Sequence, residues 1–141
     1  MNPRKFLTVL LSLFALLAGG LAQADDVVKT VYHFSDGVEQ AAHGLANIRN
    51  QLVADPTAKI VVVANGAGIN FLLQGADDKY NFPATVQALA AKGVEFRVCN
   101  NTLVAGKIDK SRLLPQAAII PAAVAELARL QAKEGYAYIK P

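Results

Sequence analysis

A run of five apolar residues, Ile60 to Ala64, constrains the fold of this chain more than any other feature. Side chains alternate between the two faces of a strand, so an uninterrupted apolar run is typical of a strand that is covered on both faces. Such strands occur in parallel sheets, whose neighbouring strands are joined by helical crossovers. The run therefore predicts a parallel sheet with helices on both faces.

Strand and helix patterns alternate along the chain on both sides of this run. The predicted strands are rich in β-branched and aromatic residues, and the predicted helices carry apolar residues at helical spacing. Four further strands are predicted at Val27–Phe34, Val94–Cys99, Gln116–Ile120 and Tyr136–Ile139. We therefore expect an α/β fold, a three-layer α/β/α sandwich around a mostly parallel sheet of about five strands.

Helix ends and helix faces can also be predicted. Asp36 and Glu39 have the spacing of a capping box before the first helix. The triplet Asn100-Asn101-Thr102 is expected to cap a short helix after the third strand. The last helix is expected to end at Gly135 and to turn three apolar residues inward, Val124, Leu127 and Leu130.

The N-terminus has the three parts of a secretory signal peptide. Arg4-Lys5 forms a positive n-region, an apolar stretch follows from Phe6 to Leu17, and Ala22-Gln23-Ala24 is an A-x-A cleavage site. The apolar stretch is shorter than the ~20 residues that a membrane-spanning helix needs. We therefore predict that residues 1–24 are removed and that residues 25–141 form one domain, in the periplasm or outside the cell.

Charge and hydropathy exclude some classes of partner. Removal of residues 1–24 from the 141-residue chain leaves 117 residues and lowers the net charge from +3 to +1, because both charges of the removed segment are positive. A near-neutral domain without a Lys/Arg cluster has no electrostatic footprint for nucleic acid. The remaining chain has no segment that could span a membrane. We therefore expect neither a nucleic-acid partner nor membrane association after cleavage.

Several kinds of catalytic machinery are missing from the sequence. It contains no G-x-S-x-G elbow, no P-loop and no zinc-ligand spacing. The Gly66-Ala67-Gly68 loop resembles the start of a dinucleotide fingerprint, but Phe71 occupies the third glycine position and the loop follows the second strand. No cofactor and no metal are therefore expected. The glycines serve either a tight turn or the binding of a small anion by backbone N–H groups.

Ligand sites of parallel sheets form at the carboxyl ends of the strands. That rule singles out the loops that follow Phe34, Ala64 and Val98. His33 and Asp36 at the first loop are either acid/base or polar binding groups, or parts of a capped helix start.

Cys99 is the only cysteine, and it stands at the end of the third strand just before a helix start. Free N–H groups and the dipole at a helix N-terminus favour a thiolate and lower the pKa of a cysteine there. Alternation puts Arg97 on the same strand face, where its guanidinium would also favour the thiolate. The alternative is that Cys99 is a small apolar side chain that fills the strand end.

The segment from Phe96 to Leu103, with Leu89–Val94 before it, resembles the strand–cysteine–helix segment of the DsrE/DsrF-like family. The strand Tyr32-His33-Phe34, the strand and loop Ile60–Gly66 and the closing helix from Val124 fit the same pattern. The resemblance implies an α/β/α fold with a five-stranded sheet and assembly into homo-trimers or hexamers. It also implies a link to sulfur relay, in which a cysteine that matches Cys99 carries sulfur as a persulfide.

Two functional classes remain, and whether the chain is an enzyme stays open. The first is a periplasmic sulfur carrier or sulfurtransferase-like protein that uses Cys99 and exchanges sulfur with a donor or acceptor protein or a small thiol. The second is a non-catalytic binding or assembly module with a small-ligand cleft near Gly66, Gly68 and Cys99. The supporting or ligand-binding candidates are Arg97, Asn100, Asn101, Thr102, Gly66, Gly68, His33 and Asp36.

Overall fold

Five parallel strands form the central sheet of the computed structural model, which describes residues 27–76 and 78–141. The strands are β1 (Lys29–Phe34), β2 (Lys59–Ala64), β3 (Glu95–Cys99), β4 (Ala117–Ile120) and β5 (Ala137–Ile139). Their order in the sheet is β4-β3-β2-β1-β5, and every neighbouring pair is parallel. The predicted sheet is confirmed, although all strands except β2 begin one or two residues later than expected. The predicted signal peptide lies outside the described residues.

Helices cover both faces of this sheet. The α-helices are α1 (Val38–Ala54), α2 (Phe82–Ala90), α3 (Asn100–Ala105) and α4 (Ala123–Glu134). Short 3₁₀ helices span Gly66–Leu72, Asp78–Tyr80 and Lys110–Arg112. None of the helices within residues 27–76 and 78–141 is both long enough and apolar enough to cross a membrane. The predicted α/β sandwich is confirmed.

The larger hydrophobic cluster lies between the sheet and the layer formed by α1, α2 and the Gly66–Leu72 helix. Phe71 is at its centre, with ring centroids 5.3 Å from Phe34, 5.9 Å from Phe82 and 6.1 Å from Phe96. The apolar residues of α1 that recur at helical spacing, among them Ala41, Leu45 and Ile48, face this cluster. Packed aromatic rings and aliphatic side chains stabilise this layer by removing apolar surface from water.

The smaller cluster lies on the opposite face, where α4 packs on β1 and β2. The buried residues of α4 are Ala123, Leu127 and Leu130. The inward direction predicted for Val124 is wrong, because its side chain is 72% exposed. The positions i, i+4 and i+7 already form a continuous helical stripe from Ala123, which leaves Val124 on the solvent side.

The start of α1 differs from the predicted capping box. Gly37 occupies the N-cap position with φ +114°, so Asp36 stands one residue too early to cap the helix. Gln40 takes over part of that role, because its Oε1 accepts the backbone N–H of Ser35 at 2.7 Å and that of Asp36 at 2.9 Å. The carboxylate of Asp36 instead accepts the hydroxyl of Ser35 at 2.6 Å.

Candidate functional site

The carboxyl ends of β1, β2 and β3 meet at one edge of the sheet, as a parallel arrangement requires. His33 Nε2 lies 2.8 Å from Asn65 Oδ1, which joins the end of β1 to the loop after β2. The N–H of Gly66 donates to Thr102 Oγ1 at 3.0 Å, which joins that loop to α3. Hydrogen bonds therefore connect three strand ends around the position of Cys99.

Cys99 ends β3 and is the N-cap residue of α3. Its side chain is 5% exposed and belongs to the hydrophobic cluster beneath α4. The backbone N–H of Ala123, at the start of α4, donates to Cys99 Sγ at 3.3 Å. Two helix starts therefore converge on one sulfur atom.

The net effect of these surroundings is to lower the pKa of Cys99. Burial, the largest single influence, raises the pKa, but hydrogen bonds from the backbone of Ala123 and from Thr102 outweigh it. Thr102 contributes both its backbone N–H and its side chain, and the backbone N–H of Asn101 adds a further donor. Each donor stabilises the negatively charged form of the sulfur more than the neutral thiol.

The predicted capping triplet takes a different position. Asn100, Asn101 and Thr102 are the first three residues of α3, and no side chain caps this helix. Asn101 and Thr102 contribute to the site through N–H groups of the first helical turn, which have no partner within the helix, and Thr102 also contributes its hydroxyl. The capping prediction is wrong because the helix begins one residue earlier, directly at the end of β3.

Arg97 lies on the same strand face as Cys99, but its guanidinium is bound elsewhere. It forms ion pairs with Glu126 of α4 and, at 2.6 Å, with Glu95 of its own strand. Arg97 is not among the largest influences on the pKa of Cys99. The guanidinium of Arg97 therefore links β3 to α4 and does not provide the predicted support for the thiolate.

His33 and Asp36 lie apart from the sulfur. His33 Nδ1 lies 2.7 Å from the hydroxyl oxygen of Tyr138. His33 belongs to β1, which is separated from β3 by β2, so the two strands lie about 10 Å apart across the sheet. His33 therefore does not pair with Cys99. Asp36 is exposed, and its Oδ2 lies 3.1 Å from Lys140 Nζ. The pKa of Asp36 is lowered first by the hydroxyl of Ser35 and then by Lys140.

The two glycines after β2 are explained by backbone geometry. Gly66 has φ +53°, a left-handed conformation that glycine adopts without steric cost. A Cβ added at Gly68 would overlap the carbonyl oxygen of Phe34, so only glycine lets this loop lie against the end of β1. The N–H of Gly66 is already bound by Thr102, which leaves it unavailable to an anion.

Ala123 is the site residue that sequence patterns did not reveal. Its contribution is a backbone N–H, which any residue except proline possesses. The informative signal is topological, because β4 is the neighbour of β3 and the segment after β4 must begin beside Cys99. Within the described part of the chain, no cluster of three or more His, Cys, Asp or Glu residues could hold a metal ion.

Comparisons with known proteins give a consistent assignment. The model of the DsrE/DsrF-like family matches residues 14–141. A protein of unknown function from Methanobacterium thermoautotrophicum, MTH1491, is 30% identical with a TM-score of 0.74, over 81% of this chain and 99% of that chain. The YchN protein from E. coli is 16% identical with a TM-score of 0.65, over 82% of this chain and 98% of that chain, which shows a shared fold. No curated protein matches. The chain therefore belongs to the DsrE/DsrF-like family.

Proposed function

We propose that this chain is an exported sulfur carrier that holds a persulfide on Cys99. Membership of the DsrE/DsrF-like family supports a role related to sulfur relay. The observation that carries the proposal is the position of the Cys99 sulfur, which accepts the N–H of Ala123 and has a lowered pKa. The thiolate is the form of cysteine that attacks sulfur.

Loading of the carrier is a thiol exchange without net oxidation. The Cys99 thiolate attacks the outer sulfur of a polysulfide or hydropersulfide donor, R–S–SH, and forms a new S–S bond. The S–S bond of the donor breaks and R–S⁻ leaves with the electron pair, while the transferred sulfur keeps its proton. Unloading is the same exchange, with an acceptor thiolate that attacks the outer sulfur and Cys99 as the leaving thiolate.

A single cysteine suits this cycle. With no second cysteine in the chain, the persulfide cannot be trapped as an intramolecular disulfide. The sulfur must therefore pass to another protein or to a small thiol. We place this exchange outside the cytoplasmic membrane, on the basis of the signal peptide pattern in residues 1–24. N-terminal sequencing of the exported protein should begin at Asp25, and a membrane-bound product that retains Met1 would contradict export.

Treatment of the purified protein with polysulfide tests the proposed carrier function. Intact-mass spectrometry should show one added sulfur that dithiothreitol removes, and the Cys99→Ser variant should gain none. A cyanide assay should recover the sulfur as thiocyanate in the same amount. No gain of sulfur by a correctly folded protein would contradict the carrier function.

The second candidate is a non-catalytic binding or assembly module with a structural Cys99. The observation in its favour is burial, since the side chain is only 5% exposed. Under this alternative, Cys99 resists alkylation in the folded protein and Cys99→Ala lowers stability by roughly 1–2 kcal/mol, the cost of a small buried cavity. Fast alkylation under native conditions would exclude it.

A further inference from the structure

A trough runs between α1 and α2, on the face of the sheet opposite to α4. Three adjoining cavities form it, with volumes of about 240, 110 and 300 Å³. Arg49 and Thr85 line both the first and the second cavity, and Lys92 lines both the first and the third. The three cavities are therefore neighbours along the two helices, and together we call them the α1–α2 trough.

The floor of the trough is apolar. The buried side chains of Leu45, Phe82 and Leu89 contribute to its lining. Ala84 and Ala88, on the exposed side of α2, are small, which leaves the space above the floor open. Such a floor, with a few polar groups around it, is typical of small-molecule sites.

Two positively charged side chains lie at the edge of the trough. The side chains of Arg49 and Lys92 both line the 240 Å³ cavity and both are exposed. Neither forms an ion pair with any carboxylate whose side chain the structure describes, in contrast to Arg97 and Arg129, which are held by carboxylates. The described lining of all three cavities contains no carboxylate. Two positive charges that share one space repel each other, and an anion between them removes that repulsion.

We propose that the α1–α2 trough binds a small anionic amphiphile, a short aliphatic chain that ends in a carboxylate or phosphate. The head group lies between Arg49 and Lys92, where a guanidinium fork and an ammonium group both bind oxyanions. The hydroxyl of Thr85 offers a further donor, and the aliphatic chain covers the apolar floor. The trough lies on the other side of the sheet from the Cys99 sulfur, so this proposal is independent of sulfur transfer.

Titration with octanoate and octyl phosphate, followed by ¹⁵N–¹H NMR, tests the proposal. Either anion should shift the amide signals of residues on the facing sides of α1 and α2 in a saturable manner. The stronger of the two identifies the preferred head group. Acetate lacks the chain and octylammonium lacks the negative charge, so both should bind at least about tenfold more weakly, a loss of about 1.4 kcal/mol.

Two kinds of variant separate the head-group contacts from the floor. Arg49→Met with Lys92→Met keeps the aliphatic stems and should weaken binding about fivefold at low salt, as expected for exposed charge pairs. Lys133→Met, on the exposed side of α4, is the matched control and should change nothing. Ala88→Leu fills the open space and should abolish binding without unfolding the protein. Equal binding of octylammonium, or full binding by Ala88→Leu, would overturn the proposal.

Discussion

The hydroxyl group of Thr102 interacts with two neighbours. The oxygen accepts the N–H of Gly66 at 3.0 Å, and the Thr102 side chain is also one of the groups that lower the pKa of Cys99. A hydroxyl has one proton, so acceptance of the Gly66 N–H leaves that proton free to point at Cys99. Thr102 therefore has a donor available for the Cys99 sulfur while it holds the loop after β2.

Replacement of Thr102 by valine should raise the pKa of Cys99, because the hydroxyl donor is lost while the shape is kept. The variant should also lose about 1 kcal/mol of stability, the usual value of one hydrogen bond. The pH dependence of iodoacetamide alkylation measures the pKa. Thr102→Ser retains the hydroxyl and is the matched control. Identical alkylation profiles for the valine and serine variants would show that the hydroxyl has no influence.

The close approach of the Phe34 backbone dictates that residue 68 is glycine. Gly68→Ala should lower the free energy of unfolding by about 3 kcal/mol or more, since the new Cβ would overlap the backbone of Phe34 and displace the loop. Gly75 is the control, because its φ of +76° is strained for alanine but its surroundings are open. Gly75→Ala should cost only about 1–2 kcal/mol. Urea denaturation compares the two, and equal losses would refute the steric explanation.

At the scale of the elements, α4 both covers the Cys99 sulfur and donates a hydrogen bond to it. Its first residue, Ala123, packs against Cys99 and donates an N–H to it. One turn later, Glu126 binds Arg97 of β3, in a pair whose side chains are largely buried. The Glu126 carboxylate also accepts a hydrogen bond from Arg129 Nη2 at 2.9 Å. Its pKa is lowered first by Arg129, against the opposing effect of burial, and then by Arg97. This ion pair holds the start of α4 over the thiol.

Loss of the ion pair between Glu126 and Arg97 should make the Cys99 thiol more accessible to reagents in solution. If Glu126→Gln reduces the free energy of local opening by about 1 kcal/mol, alkylation of Cys99 should become about fivefold faster at equal thiolate content. Glu134→Gln is the control, because Glu134 pairs with Arg129 and not with β3. Rates are compared after correction for the pKa of each variant. No difference between the two variants would mean that α4 does not restrict access.

At the scale of the whole molecule, we expect self-association. The family resemblance implies homo-trimers or hexamers, and β4 is an edge strand with Ile119 40% exposed. Exposed apolar residues on an edge strand mark a surface that a second copy can cover. Light scattering of the mature protein at micromolar concentration should therefore give an oligomer. Ile119→Asp should shift it toward monomer, whereas Val53→Asp, at an 81% exposed position of α1, should not. A wild-type monomer would contradict the expectation.

The stability of the whole fold should decrease in acid. The pKa values of Asp36, Asp109 and Glu126 are lowered in the folded protein, chiefly by the hydroxyl of Ser35, the backbone of Ser111 and the side chain of Arg129, respectively. A carboxyl group with a lowered pKa stabilises the folded state above its ordinary value, 3.8 for Asp and 4.5 for Glu. That contribution is lost as the pH falls through the folded-state pKa.

Urea denaturation between about pH 6 and about pH 3 measures this effect. The free energy of unfolding should decrease toward the acid end, and Glu126→Gln should show a smaller decrease than the wild type. Lys133 forms no ion pair with any of the three carboxylates, so Lys133→Met should follow the wild-type profile. A constant free energy of unfolding over this range would contradict the assignment.

The sequence by itself determined the elements of this protein and the family to which it belongs. The apolar run from Ile60 to Ala64, the helical stripe of α1 and the position of Cys99 at a strand end are local patterns, because each depends on residues close together in the chain. Local patterns were less reliable for caps and for the face of α4. There, a shift of one residue changes which side chain is involved, as Asp36 and Val124 illustrate.

Only the tertiary structure decided what surrounds the sulfur. Ala123 reaches Cys99 because β4 lies beside β3, and Arg97 is occupied because α4 brings Glu126 to it. The α1–α2 trough likewise depends on the distance between two helices that are separated in the chain by a strand and two 3₁₀ helices. Contacts between distant segments depend on strand order and helix placement, which the packing of the entire core sets and which no short stretch of sequence encodes.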